Sequence, residues 1–353
     1  MPLLTRLIPS PLSVDIRPGA LDDLAGLLAD RRIAPTGKLA FAISAGSGRL
    51  LRERLAPALD GADWYEVGGG TLDDAIELAG AMKSGHYDAV VGLGGGKIID
   101  CAKLAASRIG LPLVAVATNL AHDGLCSPVA TLDNDAGRGS YGVPSPIAVV
   151  IDLDVIRQAP ARFVRSGIGD AISNISAVAD WELAHRERGQ SIDGLAAAIA
   201  RQAGEAVLRH PGSCDDDAFL TALAEGLVLT GIAMSVAGDS RPASGACHEI
   251  NHALDLLHPQ RRAPHGEQCG LGAAFAMHLR GARAETRLIV ETLRRHRLPV
   301  LPGEIGFSDD EFVQAVEFAP RTRPGRYTIL EHLDLTTDEI RDTYADYVKT
   351  IGS

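Results

Sequence analysis

A doubly wound, parallel α/β nucleotide-binding domain followed by an all-helical domain is the fold class this sequence predicts, on three observations. The chain has 353 residues, more than the roughly 250–300 at which a single hydrophobic core stops growing, so two domains are expected. Residues 1–158 alternate short β-rich runs with helical segments, whereas 159–353 carry long runs of 3.6-residue period. In "DAVVGLGGGKIIDCAK" an apolar strand runs into three glycines and straight out into a helix, the arrangement that offers free N–H groups to a phosphate.

The first strand, "LAFAISAG" (39–46), leads into an amphipathic segment over 50–59. "ADWYEVGG" precedes the helix "LDDAIELAGAMK", "DAVVGLGGG" precedes "KIIDCAKLAASRIG", and "LPLVAVAT" and "SPIAVVIDLDVI" supply the last strands. Strands alternating with helices pair in parallel through right-handed crossovers, with helices on both faces. The texture then changes. "GIGDAISNISAVADWELAHRER", "GLAAAIARQAGEAVLRH", "DAFLTALAEGLVLTGIAMSVAG" and "IRDTYADYVKTI" read as helices, joined by connections such as "RERGQS" and "RHPGSCDDD".

A formal net charge of −11 leaves no excess of basic residues to neutralise the phosphates of a nucleic acid or an anionic lipid surface, so neither is an expected partner. Prolines interrupt the N-terminal "MPLLTRLIPSPLSVDI", where a signal peptide would keep an unbroken apolar core. No apolar run approaches the ~20 residues of a membrane span, and a cytoplasmic location without membrane insertion is expected. Five scattered cysteines, Cys101, Cys126, Cys214, Cys247 and Cys269, are an odd number without a C-x-x-C pair, which fits buried thiols in a reducing compartment.

Two loops carry the cofactor signal. Gly94, Gly95 and Gly96 admit close backbone approach, and the positive start of the following helix suits a pyrophosphate. A tight turn also uses glycine, but three in succession exceed what a turn needs. The spacing is neither G-x-G-x-x-G, since Lys97 stands at the third glycine position, nor a P-loop. The second loop, "ATNLAHDGLCSP" (117–128), follows a strand at the carboxyl end, where open parallel sheets gather ligands.

Four of the eleven histidines lie between His248 and His265. "HEINH" (248–252) spells the H-E-x-x-H of zinc metalloproteases, which requires His248 and His252 on the metal and Glu249 as base. Asp170 sits in an otherwise apolar or small stretch, where an acid in a first helical turn is the ordinary reading. An aspartate with two histidines and an open position is also a set suited to a catalytic divalent metal.

Taken together, "GLGGGKIIDCAK", "ATNLAHDGLCSP", "SGIGDAISNISAVADWELA", "SRPASGACHEINHALD" and "HGEQCGLG", in this order and spacing, resemble the sn-glycerol-1-phosphate dehydrogenase family. Its superfamily holds the iron-containing alcohol dehydrogenases, glycerol dehydrogenase and dehydroquinate synthase, so the resemblance implies a dehydroquinate synthase-like fold. It further implies that Gly94, Gly95, Gly96, Lys97, Ile98, Ile99 and Asp100 hold the pyrophosphate of NAD(H) or NADP(H), with Thr118, Asn119, Leu120, Ala121 and Ser127 lining the nicotinamide side. Asp170, His248 and His265 would bind one divalent metal, zinc foremost, with nickel or iron as alternatives. Asp123, Asp170 and His252 would contact a phosphorylated ketone, and His252 would deliver a proton. The implied reaction is reversible reduction of dihydroxyacetone phosphate to sn-glycerol 1-phosphate by a homodimer.

The sequence departs from the family at Ala121, where a hydroxyl residue is common, and at Cys247, where an acid is frequent. Rival readings keep the fold and change the substrate, as in a glycerol dehydrogenase or an enzyme of another phosphorylated or phosphonylated carbonyl compound. A cyclase would need a cluster of basic residues, and the sequence offers Arg241 alone near the histidines. Glu249 becomes an ordinary helix residue, and the protease match an accident. The segment "AGSGR" after the first strand does not decide between NAD and NADP.

Overall fold

The computed structural model describes residues 9–135, 137–261 and 263–352. The chain forms two compact units. One runs to Leu120 and resumes over Gly124–Ala159, and the other takes Ala121–Asp123 and everything from Pro160.

Among the described residues the first unit has eight strands: β1 (Ser13–Arg17), β2 (Leu39–Ser44), β3 (Asp63–Val67), β4 (Ala89–Gly94), β5 (Leu113–Ala117), β6 (Val129–Asn134), β7 (Gly137–Gly142) and β8 (Ala148–Asp152). Six make one sheet in the order β1-β8-β5-β4-β2-β3, with every neighbouring pair parallel. The central strands β4, β5 and β8 are buried at every position, which explains their unbroken Ala, Val, Leu and Ile rows: with both faces covered there is no solvent side to alternate toward. The chain passes outward from β2 to β3, then returns to β4 on the other side of β2. The direction of winding therefore reverses between β2 and β4, and β4 ends in the three glycines.

Two features of this unit lie outside the expected pattern. The short edge strand β1 was hidden by its polar residues, and the antiparallel hairpin β6–β7 by its glycines, which weaken a strand pattern.

The second unit is all-helical among the described residues. Its helices include Ala161–Arg188, Gly194–Leu208, Asp217–Ala237, Ala246–Leu257, His265–Leu279, Arg283–Arg295, Asp309–Phe318 and Thr337–Gly352. One expectation needs correction here. Asp217–Ala237 is long and apolar enough to cross a membrane, with mean hydropathy 1.8, but 67% of that stretch is buried within the protein. Its Phe219, Leu220, Leu223 and Leu227 are at most 1% exposed, so its apolar length serves the core of this unit. A second correction concerns Asp170. The helix begins at Ala161, because "ARFVRS" continues the helix despite its charges, and Asp170 lies in the interior of the helix, too far in to complement the dipole of its first turn.

Candidate active site

Glycine decides how the metal-binding side chains meet. The helices Ala161–Arg188 and His265–Leu279 touch backbone to backbone: a Cβ on Gly169 would stand 2.0 Å from Gly266 O, and one on Gly266 would stand 1.7 Å from Ser166 O. Only glycine permits that approach. The crossing is pinned where Gly266 N–H donates to Ser166 Oγ at 3.0 Å, and where Arg162 holds Glu267 through two hydrogen bonds of 2.7 and 2.8 Å. Each helix then carries its ligand residue beside the contact, Asp170 next to Gly169 and His265 next to Gly266.

The third helix, Ala246–Leu257, brings His248. Its start is tied down by buried Asp180, whose Oδ2 accepts from Ala246 N–H at 2.8 Å and whose Oδ1 accepts from Ile329 N–H at 2.7 Å and from Arg280. His265 Nε2 lies 3.4 Å and His248 Nε2 3.8 Å from Asp170 Oδ1. Asp170 Oδ2 accepts the backbone N–H of Asp123 at 2.8 Å. One carboxylate oxygen is thus fixed by the Asp123 loop, and the other is left facing both imidazoles.

Cys269 joins them. Ligand atoms of Asp170, His248, His265 and Cys269 all lie within 4.8 Å of one another. Cys269 escaped the sequence reading, although its i+4 spacing from His265 on one helix was a usable signal. Burial alone would raise the Asp170 carboxyl, but His265, His248 and His122 hold it down to about 2. Burial, followed by the neighbouring His265, pushes the His248 imidazole well below its usual range against the pull of Asp170. An ionised carboxylate and a neutral imidazole are the protonation states that a divalent metal requires of these donors, and the donor set fits such an ion.

His252 stands one turn beyond His248 and does not belong to this donor set. Its Nδ1 accepts from Arg323 Nε at 3.4 Å. Glu249 is not the ordinary helix residue that the sequence suggests. It is 0% exposed, its Oε2 accepts from Thr328 Oγ1 at 3.1 Å, and burial, Glu331 and Asp180 push its carboxyl up to about 9. A carboxylic acid that is neutral at pH 7 and hydrogen-bonded to a threonine is a poor general base. Glu249→Gln reproduces that neutral shape and is expected to leave turnover within about threefold of wild type, while a protease would lose its base; steady-state assay of the purified variant checks this.

In the first unit, Gly94 ends β4 and Gly95 precedes the helix Gly96–Ile109. Thr118 N–H donates to Gly94 O at 3.0 Å, which holds the loop after β5 level with the glycines. A Cβ on Gly95 would meet Asn119 Nδ2 at 2.5 Å, so the amide of Asn119 lies directly against this glycine. The predicted cofactor residues divide here. Gly95, Gly96, Lys97, Thr118 and Asn119 remain accessible, whereas Ile98, Ile99, Asp100, Leu120 and Ser127 are buried. Asp100 is occupied by the protein itself: its Oδ1 lies 3.2 Å from Lys103 Nζ and its Oδ2 accepts from Thr131 N–H at 3.2 Å. Lys103, fully enclosed, also donates to Val129 O at 2.8 Å and to Gly124 O. A buried ammonium must be paired in this way, and the pairing ties the glycine-loop helix to the β6 hairpin. Ala121 lies in the other unit, beside His122 and Asp123.

A parallel nucleotide-binding sheet joined to a helical unit with an Asp/His₂ donor set defines a class, the metal-dependent nicotinamide alcohol dehydrogenases. The family model for iron-containing alcohol dehydrogenase matches residues 15–160. Among solved structures, a probable glycerol dehydrogenase from Sinorhizobium meliloti superimposes with a TM-score of 0.79 at 24% identity, covering 98% of this chain and 99% of that one. Glycerol dehydrogenase from Schizosaccharomyces pombe does so with a TM-score of 0.79 at 20% identity, covering 99% and 91%. At the sequence level, glycerol-1-phosphate dehydrogenase [NAD(P)+] of Methanospirillum hungatei is 40% identical over 91% of this chain and 89% of its own. The enzyme of the same name from Methanothermobacter thermautotrophicus is 34% identical over 94% and 96%. The chain belongs to the glycerol-1-phosphate dehydrogenase family.

Proposed function

We propose that this enzyme reduces the ketone of dihydroxyacetone phosphate to sn-glycerol 1-phosphate, reversibly, with NADH or NADPH. The observation that carries the reading is the convergence of Asp170, His248 and His265 on one point, in a chain whose full-length relatives are named for this reaction. When bound, a divalent ion at this set supplies a Lewis acid for the ketone oxygen, and the nicotinamide supplies the hydride.

The chain's own residues do the rest. Asp170, with Oδ2 fixed by Asp123 N–H, presents Oδ1 together with the Nε2 atoms of His248 and His265, which prevents the donors from relaxing away from the ion. Gly95, Gly96 and Lys97 receive the cofactor pyrophosphate at the helix start. As hydride reaches the ketone carbon, its oxygen gains a proton through His252, whose ring takes up a proton from solvent before the step and returns to its neutral form after it. Carbonyl, hydride and proton together make the alcohol.

The test is oxidation of NADH and of NADPH by protein loaded with zinc, nickel or iron, offered dihydroxyacetone phosphate, dihydroxyacetone or glyceraldehyde 3-phosphate. Turnover on the first, lost to a chelator and restored by a divalent ion, is the expected result. His252→Ala is expected to lower kcat by about 100-fold or more while retaining the metal, the usual scale of a general acid. No turnover on dihydroxyacetone phosphate with any metal overturns the substrate, and full metal content with unchanged kcat in His252→Ala overturns the proton donor.

A further inference from the structure

Two half-buried guanidinium groups converge on one hydroxyl in the helical unit. Arg323 Nη1 and Arg326 Nη2 each donate to Ser240 Oγ at 3.1 Å. Arg326 also donates to Ser244 O, and Arg323 Nε donates to His252 Nδ1 at 3.4 Å. Arg241 follows Ser240 directly. Burial first, then Arg323 and Arg241, push the Arg326 guanidinium down to about 10, a mark of cations held together.

Among the described residues, none of these three arginines makes an ion pair through its side chain. The acids whose fields reach them are Asp239 and Glu249. Asp239 accepts Arg241's own backbone N–H at 2.7 Å, and Glu249 Oε2 is engaged by Thr328 Oγ1 at 3.1 Å. Three neighbouring cations with no carboxylate in contact with their guanidinium groups among the described residues repel one another, and an arriving dianion relieves that repulsion. Planar guanidinium forks and a hydroxyl donor match phosphate oxygens in number and geometry.

We propose that Ser240, Arg241, Arg323 and Arg326 form the seat for the substrate's phosphate dianion, and that this seat selects a phosphorylated ketone over an unphosphorylated polyol. The proposal rests on the functional reading above and adds to it the residues that confer specificity. Arg323 links the seat to His252, one turn of about 5.4 Å from the metal ligand His248.

The test uses zinc-loaded, full-length protein and two readouts, calorimetric titration with inorganic phosphate and the ratio of kcat/KM for dihydroxyacetone phosphate over dihydroxyacetone. Arg326→Met is expected to weaken phosphate binding by about 30-fold or more, the scale of a lost charged hydrogen bond. It should lower the substrate ratio similarly, through KM, with partial recovery in Arg326→Lys. Arg241→Met, which removes a side chain that bonds to nothing in the described protein, shifts both readouts the same way and guards against misfolding of the first variant. If both Met variants keep wild-type phosphate affinity and substrate ratio, the seat is wrong even though dihydroxyacetone phosphate is still reduced. If wild type ignores dihydroxyacetone phosphate yet holds inorganic phosphate through these arginines, the seat stands and the named substrate falls.

Discussion

Asp170→Asn is expected to lower turnover of dihydroxyacetone phosphate by at least about 1000-fold, some 4 kcal/mol of transition-state stabilisation, and to leave the purified protein with substoichiometric metal. The change is nearly isosteric. An asparagine oxygen still accepts the Asp123 N–H that Asp170 Oδ2 accepts at 2.8 Å, so the loop at Asp123 keeps its anchor. What disappears is the single negative charge among the donors, and with it the counterweight to the divalent ion. Two imidazoles and the Cys269 thiol remain, and only 3% of the Asp170 side chain is exposed, so little water is at hand to replace the lost carboxylate. Metal analysis, unfolding midpoint and kcat measured together check the prediction. A variant that folds, holds full metal and turns over within tenfold of wild type removes Asp170 from the ligand set.

Gly266→Ala is the second large effect, on stability first and on activity as its consequence. The added Cβ would sit 1.7 Å from Ser166 O and 3.0 Å from Asp170 N. Both neighbours are helical backbone, which cannot rotate away as a side chain can, so the helices Ala161–Arg188 and His265–Leu279 must separate. Overpacking of well-packed cores costs about 1–3 kcal/mol, and this contact falls at the upper end, about 3 kcal/mol. The separation also draws His265 away from Asp170 Oδ1, now 3.4 Å distant, so metal affinity falls with stability. Gly194→Ala is the control: nothing lies within 4 Å of its Cβ position, and its effect is expected to stay within about 0.5 kcal/mol. Denaturant midpoints and metal titrations of the two variants check the contrast, and equal behaviour would mean that the crossing is not what positions the donors.

Much of the fold was legible because its signals are local. Apolar rows such as "LVAVA" mark strands covered on both faces, and the run from "AVVGLG" into "GKIIDCAK" marks a turn at the carboxyl end of one of them. The edge strand β1 and the hairpin β6–β7 were less legible, because one has polar residues and the other glycines where a buried strand would show aliphatic side chains. The start of the Asp170 helix was also misjudged, since charged "ARFVRS" hides a helix that tertiary packing extends to Ala161.

At the site, the sequence by itself determined which residue types were available and, through recurring motifs, which of them to expect together: the glycine loop, Asp170, His248 and His265. It showed Arg241 as a lone cation near the histidines, whereas the fold brings Arg323 and Arg326 onto the neighbouring Ser240 Oγ, a grouping that no spacing along the chain announces. It left Glu249 as an ordinary helix residue, whereas the fold encloses it and keeps it protonated. These outcomes share one cause. Helix and strand patterns are set by neighbours along the chain, but a side chain's charge state and partners are set by whatever the packing brings beside it. That depends on contacts such as Gly169 against Gly266, where the absence of two Cβ atoms lets distant segments approach closely enough for their side chains to act together.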